Sequence, residues 1–200
     1  NKHLGFENGR VEAFIGMRGC PVGDIYLTDA LVGDEDRLGE IDQGMKIGHE
    51  AHHTARFLMG ALAAGIIDSA LNLSVDYVTE RELFGDKMAH LDGVKFRISD
   101  MAMSAQATQL IMYHAAWLKD QKLPQKKETT AAKLFGSDQA LKAANHAMQL
   151  FGAYGYSKEY PVEHLWRDAK ALQYAEGAYE KLQIDIANVV LFERKGADTL

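Results

Sequence analysis

One cysteine, Cys20, in 200 residues rules out an intrachain disulfide. That scarcity suits a reducing compartment, and the cytoplasm or a mitochondrial matrix is the expected location. Nothing beside Cys20 marks a nucleophile, so it is expected as a small filler residue. Prolines number three, which suits long uninterrupted helices. The longest uncharged apolar run, Phe57 to Ile67, falls short of the roughly 20 residues that cross a bilayer, so no membrane span is expected. Clustered basic residues are also missing. With a net charge of -6, and Lys126-Lys127 followed at once by Glu128, nucleic acid is not the expected partner. Two copies of Glu-x-x-His would suggest a di-iron bundle, but only Glu50-Ala51-His52-His53 is found, so no metal is expected. No Gly-x-Ser-x-Gly elbow and no Gly-Lys-Ser/Thr loop occurs.

What is present divides the chain near residue 44. Residues 1–44 are broken by Gly5, Gly9, Gly16, Gly19, Gly23, Gly33 and Gly39. Val11 to Ile15 and Asp24 to Val32 alternate well enough to be strands, and strands are expected only before Met45. From Met45 onward the apolar period is helical: Leu62, Ile66, Ala70, Leu73 and Tyr77, then Ile98, Met101, Ala105, Thr108 and Met112. Leu141, Ala144, Met148 and Phe151 follow, then Tyr179, Leu182, Ile186 and Val189. Breaks at Phe84-Gly85-Asp86, Leu123-Pro124, Gly152 to Pro161 and Glu176-Gly177 leave four long helices and a shorter one at Val162 to Leu172. Two of the helices should exceed 25 residues. The expected fold is mainly α, a four-helix-type bundle over residues 45–200 with a short N-terminal β segment over 1–44.

Three local clusters are candidates for chemistry, the third running from Arg167 to Gly177. Arg81 with Phe84-Gly85 places a guanidinium at a helix end, which suits an anion and equally suits solvent beside a capping glycine. Gln149 to Tyr156 ends a helix with two glycines and two tyrosines, either a plain terminator or a place where backbone and rings approach a flat ligand. Arg167-Asp168-Ala169-Lys170 reads as a polar helix face. Glu176-Gly177 places a carboxylate just before a helix, where an apolar pocket would tune it as a general base; a simple helix-start glutamate is the plainer alternative.

Together, in this order, these clusters resemble the acyl-CoA dehydrogenase family. Arg37-Leu38-Gly39-Glu40, Arg56, Gly60 and Gly65 join the series, as do Tyr160-Pro161 and Gly16-Met17-Arg18-Gly19-Cys20. The resemblance covers the family's C-terminal half: the end of its middle β-domain, residues 1–44, and its helical domain, residues 45–200. It implies an FAD-dependent enzyme that oxidises the Cα–Cβ bond of an acyl-CoA thioester. Glu176 would remove the α-proton, and the β-hydrogen would leave as hydride to flavin N5. Where some relatives place the base, just before the helix arginine, stands Ala55. His53, Arg56 and Gly177 would lie toward the acyl-CoA. Arg81, Phe84, Gln149, Gly152, Ala153 and Glu180 would meet FAD, with Arg81 reaching the pyrophosphate of a neighbouring subunit. The resemblance further implies a homodimer or homotetramer that passes electrons to an electron-transfer flavoprotein. An acyl-CoA oxidase of the same fold and a non-catalytic helical assembly subunit are the alternatives. Departures from the family pattern fall at His53, Asp92, Ala153 and Ala178. With the N-terminal helical domain and most of the β-domain outside the sequence, residues 1–200 alone are expected to bind FAD weakly or not at all.

Overall fold

The computed structural model describes residues 5–193. A two-stranded antiparallel hairpin, β1 (Phe6–Val11) and β2 (Gly23–Leu27), precedes a helical bundle. The bundle consists of α1 (Gly44–Glu80), α2 (Asp92–Asp120), α3 (Lys126–Phe151), α4 (Val162–Tyr174) and α5 (Tyr179–Asn188). A two-residue-strand hairpin, β3 (Glu82–Leu83) and β4 (Asp86–Lys87), joins α1 to α2.

Several expectations are corrected. The first strand ends at Val11 instead of beginning there, and strands are not confined to the region before Met45. Three helices, of 37, 29 and 26 residues, exceed 25. The last helix is short, ten residues followed by a π-helical turn at Val189–Glu193. Cys20 is exposed and fills nothing.

α1, α2 and α3 pack against one another along a seam of small side chains. Ala63, Ile67 and Ala70 of α1 are fully buried, with Ala140, Ala144 and Ala147 of α3 and Met101 of α2. Small residues let the helix axes approach closely. A Cβ on Gly136 would lie 3.0 Å from the Ala63 Cβ and 3.2 Å from the Thr108 Cγ2. Gly60 faces Ala132 in the same way, at 3.1 Å. Overpacking such a contact costs about 1–3 kcal/mol. Gly136→Val is therefore expected to lower the urea midpoint with an unchanged m-value; an unchanged midpoint would mean the seam is slack.

By length and composition α1 is apolar enough to cross a membrane, its most apolar 18-residue window having a mean hydropathy of 1.6. The run Phe57–Ile67 alone understated it. In this fold α1 is the core helix, and its Asp68 accepts a hydrogen bond from the Gln109 amide of α2 at 2.9 Å.

The helix ends place several of the singled-out residues. α3 stops at Gly152, whose φ of 59° suits a residue without a Cβ. α1 stops at Arg81, and the chain reverses through Phe84 and Gly85 at φ 57° and 84°. Two consecutive positive φ values match the right-handed twist of a tight hairpin. α4 opens with Glu163 in its first turn, paired to Arg167 at 2.6 Å one turn on.

Arg167 and Asp168, expected as a polar helix face, tie the N-terminal segment to α4. The Asp168 carboxylate accepts the Met17 amide at 2.5 Å and pairs with His164 at 2.8 Å. Arg167 donates to the Ile15 carbonyl. Gly16 sits so close to the Arg167 carbonyl that a Cβ would overlap it.

Candidate functional site

Two groups of the singled-out residues lie at opposite ends of α1. The first surrounds Glu176, in the turn between α4 and α5. Ala175 is extended, Glu176 has φ 58°, Gly177 has φ 121°, and Ala178 is extended again. A left-handed glutamate costs on the order of 1–3 kcal/mol, a strain that persists only where the surroundings enforce it. α1 supplies part of that enforcement. Arg56 Nε donates to the Glu176 carbonyl at 3.4 Å, and His52 Nδ1 lies 2.9 Å from the Glu176 carboxylate. Leu182, fully buried, packs 3.3 Å from where a Gly177 Cβ would stand.

Arg56 is itself held. Its guanidinium lies 4.0 Å from the Asp185 carboxylate of α5, and both side chains are 14% exposed. Burial pushes the Asp185 carboxyl up. The Lys181 ammonium at 2.8 Å, with Lys126 and Arg56, outweighs that and holds it below the usual carboxylate range. The charged form thus remains opposite Arg56. The sequence offered His52 only as part of a metal motif and gave no sign of Asp185 or Asp138, since their partners lie 124, 129 and 35–41 residues away in sequence. The position of His52 one turn before Arg56 on the same helix face was the one available signal.

His53 sits beside this group with its Nδ1 buried and without a hydrogen-bond partner among the described residues. Burial, then the Arg56 charge, lowers its pKa below 6.5. The folded chain takes up that proton less readily than the unfolded chain, so the unfolded state binds more protons there. Stability is therefore expected to fall as pH drops through 6.5. Urea unfolding at pH 7.5 and 5.5 should show a smaller loss for His53→Gln than for the parent, and an equal loss would remove His53 as a source.

The second group lies where α1 and α3 end. Arg81 caps α1, exposed, with its guanidinium 5.9 Å from the centroid of the Tyr154 ring. Tyr154 belongs to the 3₁₀ turn Gly152–Tyr156. Tyr77, Phe151 and Tyr160 form an aromatic cluster beneath it, with Tyr77 and Phe151 stacked at 4.0 Å. Gln149, Gly152 and Ala153 are exposed on this surface. Open space surrounds Gly152, where an added Cβ would meet nothing. Phe84 is 94% exposed at the tip of the hairpin, in a left-handed conformation that bulky side chains avoid.

Glu180 belongs to the first group and not the second, since it stands in the first turn of α5. The ends are far apart. Arg56 and Arg81 are separated by 25 residues along one helix, about 38 Å at ~1.5 Å per residue. Asp92 lies exposed in the first turn of α2, paired to Lys95 at 3.2 Å. No group of three His, Cys, Asp or Glu suited to a metal ion occurs among the described residues.

A sequence model described as acyl-CoA dehydrogenase, C-terminal domain, matches residues 42–191. The chain belongs to the acyl-CoA dehydrogenase family. It is 39% identical over 187 residues to an acryloyl-CoA reductase (NADH) of Anaerotignum propionicum, covering 94% of this chain and 48% of that protein. It is 33% identical over 190 residues to a caffeyl-CoA reductase–Etf complex subunit of Acetobacterium woodii, covering 95% and 50%. Butyryl-CoA dehydrogenase from Megasphaera elsdenii superimposes with a TM-score of 0.93 at 32% identity, over 96% of this chain and 50% of that one. The chain spans about half the length of the curated relatives it matches.

Proposed function

We propose that the protein containing this chain is an FAD-dependent acyl-CoA dehydrogenase in which Glu176 removes the α-proton of the thioester. The observation that carries the proposal is the enforced left-handed turn that presents Glu176, clamped from α1 by Arg56. A general base must be held within hydrogen-bond reach of the proton it takes. A carboxylate on a strained, multiply tethered turn meets that need better than one on a free helix start. Arg56, charged and paired with Asp185, would orient the acyl-CoA beside it, with His53 as a neutral neighbour and Gly177 leaving room for the acyl chain.

The Arg81 end fits a pyrophosphate. An exposed guanidinium backed by an aromatic ring suits phosphate oxygens. The open Gly152, with Gln149 and Ala153 beside it, leaves space for an adenosine. Phe84 stands out from its hairpin as a side chain with something to cover. FAD, when bound, supplies the acceptor for the β-hydride. The distance of about 38 Å along α1 exceeds the ~30 Å breadth of a small domain. Arg81 and Glu176 of one chain would then serve different cofactors, in a homodimer or homotetramer. Residues 1–44 read as the end of a β-domain, because Ile25, Leu27, Leu31 and Val32 of the hairpin region are exposed and want a cover.

Electrons would leave to an electron-transfer flavoprotein. Proton removal and its reverse use the same base, so reduction of a 2-enoyl-CoA is a second reading, favoured by the similarity to an acryloyl-CoA reductase. Anaerobic mixing of the FAD-loaded protein with a saturated acyl-CoA tests the direction. Bleaching of the flavin absorbance is the expected result. Bleaching by NADH and re-oxidation by the enoyl-CoA, without reduction by the saturated thioester, would put the reductase in its place.

A further inference from the structure

Lys133, fully buried on α3, takes no part in the chemistry proposed above. Its ammonium donates to the carbonyl of Gln173, in the last turn of α4, at 2.9 Å. Carbonyls there have no partner within their own helix, and a cation satisfies both the hydrogen bond and the helix dipole. Burial lowers the Lys133 pKa, and Asp138 works against that shift. Asp138 stands five residues further along α3. One of its carboxylate oxygens accepts the Gln173 amide at 2.9 Å, and the other accepts the Tyr179 hydroxyl at 2.6 Å. The Gln173 side-chain oxygen accepts Lys170 at 2.7 Å, so both ends of that side-chain amide are engaged. Gln173 lies three residues before Glu176, and Tyr179 three residues after it. α3 thus grips both flanks of one turn with three short, charge-assisted bonds, two to the Asp138 carboxylate and one from the Lys133 ammonium.

We infer that Asp138, with Lys133 beside it, is a positioning residue that fixes the Glu176 turn by bridging Gln173 on its entry side and Tyr179 on its exit side. The inference rests on the reading of Glu176 as the base. The bracket answers what holds Glu176 at φ 58°. Arg56 reaches only the backbone carbonyl of that residue at 3.4 Å, and His52 is largely exposed. Neither fixes where the turn begins and ends. Asp138 does so through one rigid carboxylate, so a shift of either flank breaks a bond. A misplacement of about 1 Å at a reacting group costs on the order of 10²-fold in rate.

The test uses the complete FAD-loaded protein with Tyr179→Phe and Asp138→Asn. Tyr179→Phe keeps the ring and removes one arm. Asp138→Asn keeps an oxygen for Tyr179 and turns an amide donor toward the Gln173 amide, which removes the other. Each is expected to slow flavin reduction by about tenfold or more, with flavin content and the half-saturating acyl-CoA concentration within about threefold of the parent. Amide hydrogen exchange at residues 174–178 should accelerate in both variants while the buried amides of α1 and α3 keep their protection. Unchanged exchange at 174–178, or acceleration spread through the bundle, would overturn the inference. Exchange needs no turnover, so it judges the bracket even if Glu176→Gln leaves the rate intact and the reading of Glu176 fails by itself.

Discussion

Glu176→Gln, in the complete FAD-loaded protein, is expected to slow flavin reduction by an acyl-CoA by about 10²–10⁴-fold while leaving thioester binding nearly unchanged. Glutamine keeps the size and the turn but cannot take a proton. The residue before Arg56 is Ala55, so α1 offers no second carboxylate at that point. His52 is the group to watch, since its Nδ1 already stands 2.9 Å from the Glu176 carboxylate. If it stands in for the base, the loss will sit at the small end of the range, and adding His52→Leu will deepen it. Stopped-flow reduction at saturating acyl-CoA measures the step directly. A rate within about threefold of the parent would show that the base lies elsewhere.

How far the sequence could be read depends on how local each determinant is. The start of the bundle was legible because the hydrophobic period changes within a few residues of Gly44, where α1 begins. The N-terminal strand pair was legible as a β segment but not in its bounds, since β1 is exposed along almost its whole length and no buried face imposes an alternation to read. Val11 to Ile15 alternates well enough to read as a strand, but β1 ends at its first residue, Val11, which pairs with Gly23. Instead Ile15 gives its carbonyl to Arg167, 152 residues away, and Met17 gives its amide to Asp168. The β3–β4 hairpin escaped notice because its turn uses Phe84, a residue that avoids positive φ. A rule broken locally points to a function there. Around Glu176 the Glu-Gly pair was visible as a helix boundary. What surrounds it comes from α1, α3 and α5, and packing assembles His52, Asp138 and Asp185 there without any contiguous motif.

Mixing two defective proteins tests the division of labour along α1. Arg81→Ala removes the guanidinium proposed to meet a pyrophosphate and should weaken flavin binding by about tenfold or more. Glu176→Gln removes the base. If Arg81 acts on the neighbour's cofactor, each site combines Glu176 of one subunit with Arg81 of another. A mixed pair then holds one site with both lesions and one with neither. Random pairing makes about half of two-fold dimers mixed, so, at an FAD concentration that leaves the Arg81→Ala parent mostly empty, reassembly should restore about a quarter of parental activity. If both residues of one chain serve the same cofactor, every site keeps one lesion and mixing restores nothing. The second outcome demands that a single cofactor bridge the roughly 38 Å of helix between Arg56, which holds the Glu176 turn, and Arg81. The unbroken run of α1 from Gly44 to Glu80 gives the chain no reversal that would shorten that span. Rescue is therefore the expected result, read as steady-state activity against the unmixed parents after denaturation and refolding together. Its absence, with mixed dimers confirmed by native mass spectrometry, would overturn the shared site.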